Sequence, residues 1–250
     1  MLISPTLGAQ VDTQGFAVVD PGESAPWCDA ALDVIRSLDH QGERRRGGVR
    51  GLLRSAAGLV PLLGESVAWQ VAESILGSDC FVVRSVLFDK TPRANWKVAW
   101  HQDRSVAVRK RIDVAGFGPW SRKDGVVHVQ PPPSVLEGML TLRLHLDGCG
   151  EDNGPLRVIS ASHRAGLLDD RDAAAAVAEG DEKICLVGRG GLLAMRPLLL
   201  HASGSARSPE HRRVIHLEFA ASALPGGLAW HDQTSAGGRD RPPGEGDDHG

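Results

Sequence analysis

The sequence contains no tyrosine and few other aromatic residues, with six tryptophans and five phenylalanines in 250 residues. Its core must therefore rely on Leu, Val, Ile and Ala. An excess of one charge is also missing, because the formal net charge is −3. No nucleic-acid partner is expected, since nucleic-acid-binding surfaces carry a clear surplus of Lys and Arg. The basic run Arg44-Arg45-Arg46 is interpreted as a solvated loop, with anion binding as the alternative.

Cysteine is sparse, and long apolar runs are absent. Cys28, Cys80, Cys149 and Cys185 are widely spaced and form no C-x-x-C motif. The first residues lack the basic and apolar regions of a signal peptide, and no apolar run has the length needed to span a bilayer. We therefore expect free thiols, a cytoplasmic location and no membrane partner.

The order of the predicted elements is helices first and strands afterwards. Apolar residues at helical spacing predict N-terminal helices within residues 24–76, and strand patterns run from about residue 79 to 222. No regular alternation of strands and helices is present, which disfavours a parallel α/β sheet. The sequence thus predicts a mainly β fold with flanking helices, an antiparallel jelly roll in one domain over residues 1–232. Residues 233–250 are almost devoid of apolar side chains and predict a disordered tail.

Individual segments follow from the same patterns. Two short helices are predicted after the N-terminal ones, at residues 133–137 and 171–179. The predicted strands are residues 15–19, 81–88, 97–103, 139–146, 156–159, 191–200 and 212–219.

Two of these strands end in residues that suit a metal ion. One strand closes with Trp100-His101-Gln102-Asp103, and His201 follows another. Side chains two positions apart on a strand share a face, so His101 and Asp103 can act together. With His201 they form a set of two imidazoles and one carboxylate, which binds Fe(II) and leaves other coordination positions open. Each residue alone also has a structural explanation, as a hydrogen-bonded histidine or a turn-capping acid.

The last predicted strand separates into two faces. One face is mostly apolar: Arg213, Ile215, Leu217 and Phe219. The other is mostly polar: Arg212, Val214, His216 and Glu218. If helices cover the apolar face, the polar face lines the interior and Arg212 lies in a pocket. An arginine there suits a dicarboxylate, because its planar fork binds a carboxylate through two hydrogen bonds. The pattern alone does not decide between Arg212 and Arg213.

These motifs resemble those of the phytanoyl-CoA dioxygenase family over residues 81–219. The resemblance implies a double-stranded β-helix, a cupin-like jelly roll. It implies an enzyme with Fe(II) as cofactor and 2-oxoglutarate and O2 as cosubstrates, which hydroxylates an unactivated C–H bond of a small molecule and releases succinate and CO2. The motifs that carry the resemblance are Trp100-His101-Gln102-Asp103, Leu146-Asp147, Glu151-Asp152-Asn153-Gly154-Pro155-Leu156, Ser162-His163-Arg164, His201-Ala202-Ser203-Gly204 and Arg212-Arg213.

The resemblance also implies roles for single residues. His101, Asp103 and His201 would bind the iron and carry the catalysis. Arg212, with the Ser203 hydroxyl, would bind the far carboxylate of 2-oxoglutarate.

Four further residues are candidates for contacts inside the pocket. Arg143 stands where relatives of this family carry a tryptophan, so it is a candidate contact for the cosubstrate or for an anionic substrate, or else a solvent-facing residue. Gln102, Lys97 and Trp100 are candidate substrate contacts, with a rim salt bridge as the alternative for Lys97 and core packing for Trp100.

Two other functions compete with the hydroxylase. One is a jelly-roll metalloprotein that does not use 2-oxoglutarate, and the other is a non-catalytic module that binds a small molecule. The complete set of ligand residues together with Arg212 and Ser203 favours the hydroxylase. Neither the substrate nor the oligomeric state can be derived from the sequence.

Overall fold

The computed structural model describes residues 6–20, 26–39, 48–64, 66–207 and 210–235. The Arg44-Arg45-Arg46 run and residues 236–250 of the predicted tail lie outside the described residues. The helices are α1 (Thr6–Gln14), α2 (Pro26–Asp39), α3 (Leu52–Ser55), α4 (Leu59–Gly64), α5 (Val67–Leu76), α6 (Pro133–Glu137) and α7 (Asp170–Glu179). The strands are β1 (Phe16–Val19), β2 (Val49–Arg50), β3 (Phe81–Lys90), β4 (Val98–His101), β5 (Val106–Val108), β6 (Trp120–Lys123), β7 (Val126–Val129), β8 (Leu140–His145), β9 (Leu156–Ile159), β10 (Glu182–Cys185), β11 (Leu192–Met195), β12 (His201–Ser203) and β13 (Arg212–Ala220).

The strands form two main sheets and a smaller third one. Six strands pair in the order β1-β11-β8-β13-β3-β2, and four pair in the order β10-β9-β12-β4. The third sheet has the order β5-β7-β6. Every strand pair is antiparallel. The predicted fold class, an antiparallel jelly roll with flanking helices, is confirmed.

The N-terminal helices cover one face of the six-stranded sheet. Leu217 and Phe219 of β13 are fully buried in an apolar cluster that also contains Trp69 of α5. The Trp69 and Phe219 rings pack in a T-shaped arrangement, with centroids 5.2 Å apart. Because successive side chains on a strand point to opposite faces, the polar residues of β13 turn into the space between the sheets. Arg212 is among these residues and faces the interior.

Helix α5 has a defined start and end. The side chain of Ser66 accepts a hydrogen bond from the amide of Ala68 and so caps the first turn. Gly77 ends the helix with a positive φ of 93°, a conformation that glycine adopts without a steric penalty. The helix thereby presents Trp69 and its other buried residues to the sheet.

A β-bulge shapes the edge where β4 pairs with β12. His201 lies opposite His101, but Ser203 lies opposite Val98, so β4 contains one extra residue between these two pairs. Val98 and His101 therefore both face the interior although they are three positions apart. The predicted strand 97–103 is shorter in the structure, because β4 ends at His101.

Several features differ from the prediction. Helix α1 precedes the first predicted strand and was not expected. Six strands also lie outside the predicted ones: β2, β5, β6, β7, β10 and β12. Thr234 pairs with Val82 through a β-bridge, so the ordered chain includes the first residues of the predicted tail. Across the described part of the chain, the helices are too short or too polar for one to cross a membrane.

The packing of Phe219 against α5 gives a test of the helix layer. Phe219→Ala is expected to lower the free energy of unfolding by about 3–5 kcal/mol, because it leaves a cavity at a fully buried site. Urea denaturation followed by far-ultraviolet circular dichroism measures this change. Ile184→Ala, at a site that is 54% exposed, is the control and should cost less than about 0.5 kcal/mol. Equal losses in the two variants would contradict the described packing.

Candidate metal and cosubstrate site

A cavity of about 100 Å³ lies between the two main sheets. Strands β3, β8 and β13 line it from the six-stranded sheet, and β4, β9 and β12 line it from the other. Three of the predicted residues, His101, Asp103 and His201, meet at this cavity with their ligand atoms within 4.8 Å of one another.

Strand pairing fixes the geometry of these three residues. Since His201 lies opposite His101 in the β4–β12 pair, the two rings come together with centroids 4.1 Å apart. The amide of Asp103 donates to the Pro197 carbonyl at 2.9 Å, which holds the end of β4 in place. The Asp103 carboxylate oxygens lie 3.7 Å from Nε2 of His201 and 3.9 Å from Nε2 of His101.

The tautomers of both histidines follow from their hydrogen bonds. Nδ1 of His101 lies 2.9 Å from the Ala99 carbonyl, and Nδ1 of His201 lies 2.8 Å from the Leu199 carbonyl. A carbonyl oxygen can only accept, so each Nδ1 carries the hydrogen. Each Nε2 therefore directs its lone pair toward the space between the three residues. Metal-binding histidines are commonly oriented in this way, by a hydrogen bond from the other ring nitrogen to a backbone carbonyl.

The protonation states suit a cation. Burial lowers the pKa of His201 to about 4, even though Asp103 acts in the opposite direction, so this imidazole is neutral at pH 7. Burial alone would raise the pKa of Asp103, but the facing imidazoles, His201 first, and the Arg84 guanidinium hold it below its ordinary value. Oδ2 of Asp103 is buried and meets no hydrogen-bond partner among the described residues. Two imidazoles and an unpaired carboxylate oxygen form a donor set that fits a divalent metal ion.

A second cluster, of Asp103, His216 and Glu218, has equally close ligand atoms, but its hydrogen bonds leave no room for a metal. Nδ1 of His216 lies 3.1 Å from Nη1 of Arg143, which can only donate. Nε2 of His216 therefore carries the hydrogen and donates it to Glu218 Oε1 at 3.2 Å. Both ring nitrogens are thus in use, and Glu218 also accepts from Arg84.

Cationic groups collect at the other end of the cavity. Arg212 is 3% exposed, and its Nη1 donates to the Gly154 carbonyl. Lys90 lies opposite Arg212 in the β3–β13 pair and is fully buried. Its ammonium group donates to the Gly204 carbonyl and lies 3.5 Å from Oγ of Ser203. The structure thus brings the predicted Arg212 and Ser203 together and adds a lysine.

The sequence contained a signal for Lys90 that the prediction did not use. Strand β3 alternates in the same way as β13, with Arg84 and Lys90 on one face and Ser85 and Leu87 on the other. The predicted strand ends at residue 88, whereas β3 continues to Lys90. Burial, followed by the charge of Arg212, lowers the pKa of Lys90 to about 8.

The structure distinguishes the two neighbouring arginines of β13. Arg213 forms a two-fold ion pair with Asp147, at 2.8 Å from Nε and 2.7 Å from Nη2. Arg212 lines the cavity instead, and its Nε is buried with no acceptor within the described chain. A buried guanidinium nitrogen without an acceptor is costly, so Arg212 fits a bound anion.

A tight turn brings the backbone close to this end of the cavity. Gly154 has a φ of 61°, and a Cβ at this position would lie 2.6 Å from the Gly204 carbonyl oxygen and 3.1 Å from Nζ of Lys90. Only glycine therefore allows its carbonyl to reach Arg212 while Lys90 stays in place.

Arg143 faces the cavity and is not a solvent-facing residue, since it is 8% exposed. Its guanidinium lies over the Phe88 ring at 5.6 Å and next to His216. Burial, followed by the charge of Arg212, lowers its pKa to about 10, so it keeps its charge at neutral pH. Its Nε has no partner in the described part of the structure.

Gln102 does not act as predicted. Its amide nitrogen donates to the Gly166 and Leu198 carbonyls at 2.7 and 2.8 Å, and its oxygen accepts from the Leu168 amide at 3.0 Å. With its amide committed to the backbone and the residue 4% exposed, Gln102 positions the loop after β4 and is unavailable to a substrate.

The structure also places Lys97 and Trp100 outside the cavity lining. Lys97 is exposed and precedes β4, and the bulge in β4 breaks the side-chain alternation on which its prediction relied. Trp100 packs under the guanidinium of Arg157, 5.1 Å from the ring centroid. Neither residue supports a substrate contact, because neither reaches the cavity.

Comparison with known proteins agrees with this architecture. The family model of phytanoyl-CoA dioxygenase (PhyH) matches residues 11–214. No curated protein matches the sequence.

Several solved structures share the fold. AviO1 from Streptomyces viridochromogenes Tue57 is 22% identical with a TM-score of 0.66, covering 90% of this chain and 98% of that one. EctD from S. alaskensis, solved with 2-oxoglutarate and 5-hydroxyectoine, is 18% identical with a TM-score of 0.65, covering 88% and 76%. The epimerase SnoN, solved with Fe3+, alpha ketoglutarate and nogalamycin RO, is 17% identical with a TM-score of 0.61, covering 88% and 90%. The family model spans most of the sequence, and the resemblance of the motifs is confirmed: the chain belongs to the phytanoyl-CoA dioxygenase family.

Proposed function

We propose that this protein is a non-haem Fe(II)- and 2-oxoglutarate-dependent dioxygenase that hydroxylates an unactivated C–H bond of a small molecule. The proposal rests on one observation, which is that a single cavity holds a set of metal-binding side chains at one end and a set of cationic side chains at the other. Two imidazoles and a carboxylate meet at one end, and buried cations with unpaired donors meet at the other. A metal ion would bind to the first end, and a dicarboxylate would reach from the metal to the cations at the second.

His101, Asp103 and His201 would hold the iron. The Ala99 and Leu199 carbonyls fix the two rings, so the ligands are oriented before the metal binds. All three ligands come from the β4–β12 edge, which leaves the side toward the cavity open for other ligands.

Arg212, Lys90 and Ser203 would hold the far carboxylate of 2-oxoglutarate. Arg212 offers a planar fork, Lys90 an ammonium group and Ser203 a hydroxyl, all buried at the same end of the cavity. Charge-assisted hydrogen bonds of this kind are the strongest that proteins form. Arg143 lies opposite His216 in the β8–β13 pair, where it would face the body of the cosubstrate.

The bound iron, with 2-oxoglutarate and O2, would supply the oxidising chemistry, and succinate and CO2 would be the coproducts. The chain itself orients the ligands, excludes water from the buried end and keeps Asp103 ionised. Hydroxylation is the proposed outcome, although the SnoN structure shows that an epimerase shares this fold. Transfer of one oxygen atom to the product, seen by mass spectrometry, separates hydroxylation from epimerisation.

Two further features support a small-molecule substrate and a cytoplasmic location. EctD and SnoN were solved with small molecules, which supports a small-molecule substrate here. The four cysteines are free and buried, which supports a location in a reducing cytoplasm.

The alternative function is a metalloprotein that does not use 2-oxoglutarate. Arg212 and Lys90 disfavour it, because their buried charges would then have no function.

The two arginines of β13 provide a matched test. Arg212→Gln is expected to raise the dissociation constant of 2-oxoglutarate at least tenfold, about 1.4 kcal/mol, because it removes a buried charged donor. Arg213→Gln should leave this constant within about twofold, since Arg213 binds Asp147 outside the cavity. Anaerobic calorimetry of the Fe(II)-loaded protein measures both. Equal effects in the two variants, or none in either, would remove 2-oxoglutarate from the proposal.

The lowered pKa of Lys90 predicts a pH dependence for cosubstrate binding. Lys90 is a cation below pH 8 and loses its proton as the pH rises through about 8, so 2-oxoglutarate should bind with constant affinity below pH 8 and progressively more weakly above it. Lys90→Met should bind more weakly at pH 7 and lose this dependence, whereas the exposed control Lys97→Met should keep the wild-type profile. A flat profile in the unmodified protein up to pH 10 would refute the role of Lys90.

A further inference from the structure

Charged residues on the interior face of the six-stranded sheet form two cross-strand pairs at different positions along the strands. On the β3–β13 pair, Arg212 lies opposite Lys90 and Glu218 lies opposite Arg84. These two pairs are six residues apart along β13, about 20 Å at the rise of a strand. Ser203 lies near Lys90, whereas Asp103 lies near Glu218. Arg84 is therefore at the metal end of the cavity, away from the groups proposed to bind 2-oxoglutarate.

Glu218 orients Arg84 toward the cavity. One nitrogen of the Arg84 guanidinium donates to Glu218, which is itself held by Nε2 of His216. The Glu218 side chain is 5% exposed and the Arg84 side chain is 19% exposed, so the carboxylate lies behind and the guanidinium reaches the cavity. Arg84 keeps further N–H donors for a ligand, since a guanidinium has five.

The charges of the cavity leave room for another anion. Among the described residues that line it, the anionic side chain is Asp103 and the cationic ones are Arg84, Arg143 and Arg212. Glu218 lies behind Arg84 and Lys90 lies beside Ser203, so these two charges offset each other. A divalent metal and the dianion 2-oxoglutarate neutralise each other, so the loaded cavity keeps an excess of positive charge. Buried cations are stabilised when an anion pairs with them.

A second cation lies close to the chain segment that carries Asp103. Lys123, at the end of β6, is exposed and donates at 3.1 Å to Oγ of Ser105, two residues after Asp103. Desolvation and then the repulsion from the like charge of Arg84 lower the pKa of Lys123. An anion between them would relieve this repulsion.

We propose that the substrate carries a carboxylate or phosphate group, which Arg84 binds inside the cavity and Lys123 attracts at its rim. This inference rests on the proposed function, because it assigns to the substrate the part of the cavity that 2-oxoglutarate leaves free. The expected substrates are therefore small anionic molecules, and Arg84 is the residue that selects them.

Matched anionic and neutral probes test the proposal. The pairs are hexanoate with hexanamide, 3-phenylpropanoate with 3-phenylpropanamide, and phenyl phosphate with phenol. Each is titrated anaerobically into the protein loaded with Fe(II) and 2-oxoglutarate, and binding is followed by tryptophan fluorescence, since Trp96 lines the cavity. At least one anion should bind about tenfold or more tightly than its neutral partner. The carboxylate and phosphate pairs show which oxyanion is preferred.

Variants assign the preference to Arg84. Arg84→Gln should bring the ratio of anion to neutral affinity close to one and leave the dissociation constant of 2-oxoglutarate within about twofold. The double variant Arg84→Gln with Glu218→Gln keeps the buried pair neutral and should behave in the same way if the single variant folds poorly. Arg122→Gln, on the same strand as Lys123 but bonded to the Gly125 carbonyl, is the control and should keep the preference.

The outcomes separate this inference from the proposed function. Equal affinity for anions and neutral probes, failure of every anion to bind at millimolar concentration, or a preference that survives in the Arg84 variants would overturn it. Weaker 2-oxoglutarate binding in Arg84→Gln would also overturn it, by placing Arg84 in the cosubstrate site. If the unmodified protein binds no 2-oxoglutarate, the proposed function fails instead. In that case the same titration, carried out without Fe(II) and 2-oxoglutarate on the unmodified protein and on Arg84→Gln, decides the anion preference.

Discussion

The alternation of apolar and charged side chains on the central strands of the six-stranded sheet determines where everything else in this molecule can lie. Leu142, Leu217 and Phe219 face the helices, while Arg143 and Arg212 face the other sheet. A shift of one residue in either strand would exchange these faces and bury charge against the helices. The helix layer is therefore what allows charged groups to line the interior of the jelly roll.

The interior is polar, and its polar groups are satisfied unequally. At the level of His216, a chain of hydrogen bonds joins Arg143, His216, Glu218 and Arg84 and uses both ring nitrogens. On either side of it, Asp103 Oδ2 and Arg212 Nε are buried without partners in the described structure. Because unpaired buried charges destabilise a protein, these two positions are where the fold gains from binding a cation and an anion.

The local part of the site could be predicted from the sequence. His101 and Asp103 are two positions apart, and the faces of β13 follow from a simple alternation, so short-range geometry placed both next to the cavity. The partners of Gln102 could not be predicted, because Gly166 and Leu198 are distant in the chain and reach it only through loop packing. The bulge in β4 has no sequence signature here, and it removed Lys97 from the cavity.

The positions of Arg84 and Lys90 were not predicted from the sequence, for a different reason. Their strand is mostly apolar, and its predicted extent, residues 81–88, stops short of Lys90. They are tolerated because each has acceptors that come from far along the chain: Glu218 for Arg84 and the Gly204 carbonyl for Lys90. Register between β3 and β13, which no local pattern specifies, brings these groups together.

The central claim is that the β4–β12 edge holds iron while the cations at the opposite end hold 2-oxoglutarate. The most direct measurement is the visible absorption of the anaerobic protein on addition of Fe(II) and then 2-oxoglutarate. A weak metal-to-ligand charge-transfer band should form in the unmodified protein and in His163→Ala, whose imidazole contacts the backbone of Asp12 away from the site, and should be absent in His201→Ala. Iron binding without the band, or a band that persists in His201→Ala, would contradict the account.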